Sequence, residues 1–475
     1  MTARAGLQAC ATIAALFAIS ACAPKTKYVA PAADLPPAFR ENAEWKIAQP
    51  ADEMLRGNWW ELFGDPALSA LEQQIDVSNK TLKAADAQFV QARAIVRGTR
   101  AGLFPQVDAI PSVSRAEASG NRPATTLHQA ANDFVLPIDA SWEADVWGRI
   151  HSAVSASRAA AQASAADLET ARLSLHAELA VDYFTLRGID RDRQLLQAAV
   201  ESFEKTLELT QSRFQGGIAS QADVAQAETI LETTRAQTVD VEVGRASLEH
   251  AIAVLVGKPA SSFSIAVVPL DAAPPAVPAG LPSELLERRP DIAAAERRVA
   301  AANAQLGVAT AAFYPRLILS GAAGFESSPL GSLLTGTSSF WSLGSALLVN
   351  VFDAGRRHAV SDQARAAQDQ AVAIYQQAVL EAFREVEDQL AALRILDAEA
   401  TIQGRAVDAA QRSLMQATNR YRGGLASYLE VTSAQSAALA NQRTAVEILT
   451  RRMTASVLLM KGLGGGWQVS TLPME

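Results

Sequence analysis

Hydrophobic positions along the chain follow two different periods. Apolar side chains three, four or seven residues apart predict helices after Pro66 and from about residue 149 to Phe214. Between these helices the spacing changes to two, because every even position from Phe134 to Val146 is apolar, whereas odd positions include Asp139. Such alternation predicts a strand with one apolar face and one polar face.

The same order of elements occurs twice: helix, strand, strand, long helix, tight turn and helix. The two units and the Pro-rich linker between them are predicted at residues 65–268, 283–463 and 269–282. Their strands are predicted at about 104–118, 133–147, 314–326 and 339–353. The flanking segments are a signal peptide, an irregular tether and a C-terminal tail, at 1–21, 22–64 and 464–475.

The turn between the last two helices of each unit is also duplicated. The segment Arg213–Ser220 (RFQGGIAS) returns 207 residues later as Arg420–Ser427 (RYRGGLAS), since 420 − 213 = 207. A Gly-Gly pair provides the positive φ angle that ends a helix sharply. The sequence therefore predicts two helical hairpins with closely similar tips.

The N-terminus has the pattern of a bacterial lipoprotein signal. An apolar stretch from Ala9 to Ile19 ends in Ser20-Ala21-Cys22, which resembles a lipobox that leaves Cys22 as the lipid-modified first residue. The alternative is an ordinary signal peptide with an incidental cysteine. After cleavage Cys22 is the single remaining cysteine, which excludes a disulfide within the mature chain.

Composition narrows the classes of function. The formal net charge is −8 without a basic block, which argues against nucleic-acid binding. The five histidines are scattered without metal-ligand spacing, and the Gly-rich segment near the C-terminus follows a helix, where no phosphate loop is expected. We therefore expect neither an enzyme nor a cofactor-binding protein.

The predicted strands are long enough to cross an outer membrane when tilted. A sheet in lipid must close on itself, because an open edge leaves backbone groups unpaired. Four strands per chain are too few, so several chains must pool them, and a cyclic trimer would supply twelve. The alternative is a small soluble β-sandwich flap.

The ordered set of motifs resembles the TolC-like outer membrane factors, in their lipoprotein branch. The resemblance covers nearly the whole mature chain. It rests on the lipobox, the two tips and two further segments, Trp59–Leu68 (WWELFGDPAL) and Leu285–Ile292 (LLERRPDI). It implies a mainly α fold with a transmembrane β-barrel: a trimeric, twelve-stranded barrel on a long α-helical periplasmic tunnel.

The resemblance also implies partners and a location. We expect a homotrimer in the outer membrane of a Gram-negative bacterium, anchored in membrane lipid through Cys22. It would dock with a periplasmic adaptor and an inner-membrane pump, often of the resistance-nodulation-division class, and export small molecules such as drugs. The rival functions are type I protein secretion and a purely structural role as a periplasmic coiled-coil lipoprotein. A coiled-coil lipoprotein would not need the strands.

Family resemblance gives roles to residues at both tips. The expected adaptor-docking residues are Gly216, Gly217, Ile218, Ala219 and Ser220 of the first tip and Gly423, Gly424, Leu425, Ala426 and Ser427 of the second. The alternative is that both segments are only helix-capping turns.

The predicted periplasmic gate follows the second tip. It consists of Leu429, Glu430 and Ser433, with Ser433 at a position where many family members have a second acid. A single ring of Glu430 from three chains would favour cations. The alternative is that Glu430 is a solvated helix residue. Arg149 and Arg356, which follow the strands, are expected to lie near the membrane interface or to pair with Asp145 and Asp353.

Overall fold

The computed structural model describes residues 28, 29, 31, 58–117, 119, 130–275 and 288–467. The predicted signal peptide, Cys22 and most of the tether therefore lie outside the described residues. Part of the linker, at 276–282, and the tail from 468 onward also lie outside them.

The described residues form two units with the same order of elements. The first contains α1 (Pro66–Ser78), α2 (Lys80–Ala101), β1 (Gln106–Ala109), β2 (Ser112–Ala116), β3 (Ala131–Ala144), α3 (Arg149–Gln215) and α4 (Gln221–Leu255). The second contains α5 (Pro290–Ala311), β4 (Arg316–Ser327), β5 (Ser339–Leu348), α6 (Arg356–Arg422) and α7 (Tyr428–Gly462). Short 3₁₀ turns lie at Trp59–Phe63, Ala260–Ser262, Leu330–Ser332 and Gly336–Ser338.

The two helical hairpins have equal dimensions. Helices α3 and α6 have 67 residues each, and α4 and α7 have 35 residues each. At 1.5 Å per residue the longer helices reach about 100 Å. Each tip therefore follows the start of its long helix by the same number of residues. No helix in the described ranges combines the length and hydropathy needed to cross a bilayer.

The strands form one antiparallel sheet in the order β1-β3-β4-β5, and β2 also pairs with β3. Pairing of β3 with β4 joins the two units, with Trp142 opposite Leu319 and Leu136 opposite Phe325. These apolar residues share a face with Leu343 and Leu347 of β5, whereas Ser141 and Ser320 lie on the other face. The chain thus presents a sheet with one apolar and one polar surface.

Two strand predictions need correction. The strand predicted at about 104–118 is divided into β1 and β2 at Ile110-Pro111, because proline has no N–H to donate to the ladder. The strand predicted at about 339–353 ends at Leu348, which is opposite Arg316, the first residue of β4 after Pro315. The alternation at Val349 and Val351 continues past the last strand pair.

The ends of the predicted tether and tail are part of the core. Trp59 and Trp60 are buried, and Trp60 stacks on the His176 ring of α3 with 4.5 Å between ring centroids. Gly465 packs so closely on Trp59 and Leu173 that a β-carbon there would collide with them. The boundaries predicted at 64 and 464 therefore misplace several residues that hold the helices together.

Arg289, within the LLERRPDI motif, is buried and joins three helices. Its guanidinium donates two hydrogen bonds to Asp291 (2.6 and 3.0 Å) and one to Glu385 of α6 at 2.8 Å. It also donates to the Gly462 carbonyl oxygen at the end of α7, at 3.2 Å. Several acceptors compensate the cost of burying this charge.

Glu72 of α1 is a second buried charge-bearing group. Its Oε2 lies 2.7 Å from His176 Nδ1, and its Oε1 has no hydrogen-bond partner among the described residues. Burial raises the pKa of Glu72 from 4.5 to about 7, against the opposing effect of His176. The protonated acid is therefore favoured in the fold. Its contribution to stability is complete below about pH 4.5 and is lost as the pH rises through about 7.

We predict that Glu72→Gln flattens the dependence of stability on pH. The amide keeps an acceptor oxygen for His176 without an ionisation cost, so the advantage of the variant over the native chain should grow by about 2 to 3 kcal/mol between about pH 5 and about pH 8. Thermal unfolding in detergent across this range measures the difference. If the melting temperatures of the two proteins changed with pH in parallel, the raised pKa of Glu72 would be contradicted.

Candidate functional site

The first tip is a tight turn closed by backbone and side-chain hydrogen bonds. Gly217 has a φ of 72°, and the amides of Ile218 and Ala219 both donate to the Arg213 carbonyl oxygen. Ser220 then caps α4: its hydroxyl accepts from the Asp223 amide (3.2 Å), and the Asp223 carboxylate accepts from the Ser220 amide (2.9 Å). This reciprocal capping box makes the first tip a rigid connection.

The second tip repeats the backbone turn but not the cap. Gly424 has a φ of 72°, and the Leu425 amide donates to the Arg420 carbonyl oxygen at 2.8 Å. Ser427 occupies the N-cap position of α7 without a side-chain capping bond. Glu430 stands where Asp223 stands in the first copy, yet its carboxylate lies 3.7 Å from the Arg420 guanidinium and remains half exposed.

Apolar side chains project from both tips. Ile218 is 70% exposed and its counterpart Leu425 is 76% exposed. Leu429 is 65% exposed, one turn further along. The five residues of each tip are otherwise exposed except for Ala219 and Ala426, which are half-buried. The tips therefore offer small, paired apolar patches with accessible backbone.

Arg213 connects the two tips. Its guanidinium lies over the Tyr421 ring, 4.5 Å from the ring centroid, and donates a 2.6 Å hydrogen bond to the Tyr421 carbonyl oxygen at the end of α6. A cation at a helix C-terminus is favourable because of the helix dipole. Beneath it, Tyr421 packs edge-on against Tyr428, and Val431 and Ala227 complete a buried cluster.

This contact was not predicted from the sequence. Arg213 and Arg420 occupy equivalent positions, so the repeat suggests equivalent roles. Arg420 instead stays in its own tip, where it donates to the Leu425 carbonyl oxygen at 3.3 Å. The one difference between the two copies that could have indicated this contact is Tyr421, which stands where Phe214 stands in the first copy.

The three predicted gate residues lie on the exposed surface of the first turns of α7. Leu429, Glu430 and Ser433 alternate with Tyr428, Thr432 and Gln435, which are buried against the rest of the hairpin. The structure thus brings the gate residues together on one side of the helix. They are available to face a neighbouring chain or a channel.

Comparison with known proteins identifies the family. The model of the outer membrane efflux protein family matches residues 71–258 and 281–465. The chain belongs to the outer membrane efflux protein family. The two matched segments correspond to the two structural units, one on each side of the linker.

Named relatives span nearly the whole chain. The pyoverdine export outer membrane protein OpmQ of Pseudomonas aeruginosa is 33% identical over 416 residues, covering 86% of this chain and 87% of that protein. The antibiotic efflux pump outer membrane protein ArpC of Pseudomonas putida is 31% identical over 458 residues, covering 96% and 95%.

Solved structures agree with these relatives. The outer-membrane channel OprN superimposes with a TM-score of 0.88 at 30% identity, covering 94% of this chain and 100% of that chain. A structure of CusC superimposes with a TM-score of 0.82 at 27% identity, covering 93% and 99%.

These similarities confirm the predicted TolC-like fold class and the predicted function. This member of the efflux family is the outer membrane channel of an efflux pump in a Gram-negative bacterium. Trimer formation and partnership with other efflux-pump components accompany that role.

Proposed function

We propose that three copies of this chain form the exit duct of a tripartite efflux pump that exports small molecules such as drugs. The sheet of each chain has two edges without a strand partner in the described residues, β1 with β2 on one side and β5 on the other. Joining edges in a ring of three gives a closed twelve-stranded barrel, if β1 and β2 count as one interrupted strand. The observation that carries the proposal is the apolar face shared by β3, β4 and β5.

The helical hairpins would form the tunnel, and their tips would dock with a periplasmic adaptor. Exposed Ile218 and Leu425 at equivalent positions support this role, because a docking partner can bury both in the same way. The third component would be an inner-membrane pump of the resistance-nodulation-division class. Relatives named for antibiotic and solvent efflux support a cargo of small organic molecules.

We predict that Ile218→Asp and Leu425→Asp, separately or together, abolish efflux while the trimer still assembles. Each side chain is exposed, so a carboxylate there costs little in folding but must be desolvated on docking. Drug susceptibility of cells expressing each variant with its pump measures efflux, and detergent gels measure the trimer.

Leu330→Asp is the matched control for these variants. Leu330 is 64% exposed and lies in the β4–β5 connection, at the opposite end of the sheet from the helices. Native drug resistance with the tip variants, or equal loss with Leu330→Asp, would refute docking at the tips.

The periplasmic gate is assigned to Leu429, Glu430 and Ser433 at the start of α7. Glu430 is available for this role because, unlike Asp223, its carboxylate takes no part in a capping box. Three such carboxylates near one axis attract cations and raise their local concentration.

We predict that Glu430→Gln lowers the preference of the channel for cations roughly two- to five-fold, the factor expected from one exposed charge per chain. Reversal potentials across planar bilayers with a salt gradient measure this preference. Ser433→Asp is the complementary variant and should raise the same ratio. Unchanged reversal potentials in both variants would contradict the gate and would show that Glu430 is a solvated helix residue.

The lipid anchor is assigned to Cys22, on the lipobox that precedes it. A Cys22→Ala chain should lose incorporated palmitate in metabolic labelling, because the residue that would carry the lipid is removed. Equal labelling of both chains would contradict this anchor.

We also assign the chain no catalytic step, so turnover of an exported compound by the purified protein would contradict the proposed role.

A further inference from the structure

An arginine-rich cavity lies where the sheet meets the long helices. It has a volume of about 430 Å³ and lies between the ends of β4 and β5 and the first turn of α6. Its polar lining includes Asn350, Asp353 and four arginines, Arg149, Arg316, Arg356 and Arg357.

The cavity opens on the polar side of the sheet. Arg316 is opposite Leu348 in the β4–β5 register, two residues from Ile318 and four from Ser320 on the same face. Glu143 of β3 is opposite Ile318 and therefore shares that face. The apolar face, with Trp142 and Leu319, points the other way. In a membrane barrel the polar face lines the water-filled interior.

The acids at this site do not neutralise the arginines. Glu143 accepts hydrogen bonds from both Arg149 (2.8 and 3.0 Å) and Arg316 (2.6 and 3.0 Å). Asp353 accepts a 2.6 Å bond from Arg357. These hydrogen bonds differ from the expected pairs. Arg149 bonds to Glu143, whereas Asp145 acts on it only through its charge. Asp353 bonds to the Arg357 side chain instead of that of Arg356.

Arg356 has no ion-pair partner within the described part of the chain, and its side chain is exposed. Four arginines against three carboxylates, those of Glu143, Asp145 and Asp353, leave a surplus of one positive charge per chain. In a trimer this surplus would repeat three times around the interior.

Helix stability does not explain Arg356. It is the first residue of α6, where the positive end of the helix dipole disfavours a cation. The amides of that turn already have an acceptor, since the Asp353 carboxylate receives bonds from Gly355 (3.1 Å) and Arg357 (3.3 Å). Arg149 occupies the equivalent position in α3, where Asp145 accepts from the Ile150 and His151 amides.

We propose that this cavity binds oxyanion groups, the carboxylates or phosphates of anionic solutes passing through the duct, with Arg356 as the available ligand. Arg316 and Arg149 would bind as well, from guanidinium groups that Glu143 already orients. The proposal rests on the proposed trimeric duct, because that duct makes the polar face an interior surface. It places a cationic zone between the acidic gate and the exterior.

Citrate binding to the detergent-solubilised trimer tests the site by calorimetry at low ionic strength. Arg356→Gln should weaken citrate binding about three- to five-fold, the factor expected for an exposed ion pair. Arg365→Gln is the matched control, since nine residues place Arg365 on the opposite side of α6. Its citrate affinity should equal that of the native trimer.

Two outcomes would overturn the proposal. Equal citrate affinity of the native and Arg356→Gln trimers would show that Arg356 does not bind the oxyanion. A less heat-stable Arg356→Gln trimer with unchanged citrate affinity assigns Arg356 to a contact between subunits, for example with Asp108 on the edge strand β1 of a neighbouring copy.

A second titration, in lipid nanodiscs, distinguishes a solute oxyanion from a lipid headgroup. The titration is repeated in nanodiscs of phosphatidylcholine with and without phosphatidylglycerol. Citrate affinity should be the same in both, whereas competition by phosphatidylglycerol would show a lipid headgroup site and overturn the solute assignment. Because citrate binding is measured without conduction, a trimer that binds citrate but does not conduct would refute the duct and keep the oxyanion site.

Discussion

Unpaired strand edges are the constraint on which the rest of this molecule depends. Each chain folds a sheet whose apolar face suits lipid but whose outer strands lack partners within the described chain. In hydrocarbon each unpaired backbone group costs several kcal/mol, so the sheet cannot remain open there. Closure by copies of the same chain also brings the long helices together in one bundle. The tunnel is in this sense a consequence of the barrel.

Duplication gave two hairpins of equal size, and small substitutions gave them different chemistry. Asp223 is engaged in the cap of the first tip, whereas Glu430 at the same place in the second tip is not. Arg213 reaches across to the end of α6, whereas Arg420 does not leave its own turn. Equal length would keep both tips level for the proposed docking, and the changed side chains leave Glu430 available for the proposed gate.

Charge is distributed unevenly along the proposed duct. Exposed Glu430 lies at the periplasmic end, and the surplus of arginines lies roughly 100 Å away, where helix gives way to strand. Screening at physiological ionic strength has a range of about 8 Å, so the two zones act independently. A solute would meet an acidic entrance first and a basic zone later.

Local pattern in the sequence was enough to determine the helices, the two sharp turns and the need for several chains. It also determined the presence of the alternating strands, but not the break in one of them or the end of another. These features depend on spacing and on glycine geometry within a few residues. The tertiary structure decided which distant groups meet: Arg213 with Tyr421, His176 with Glu72, and Arg316 with Glu143. These partners are separated by about a hundred residues or more, so no local period records them. Burial of Trp59 and Trp60 was likewise hidden, because a Pro-rich segment gives no sign of the core it will join.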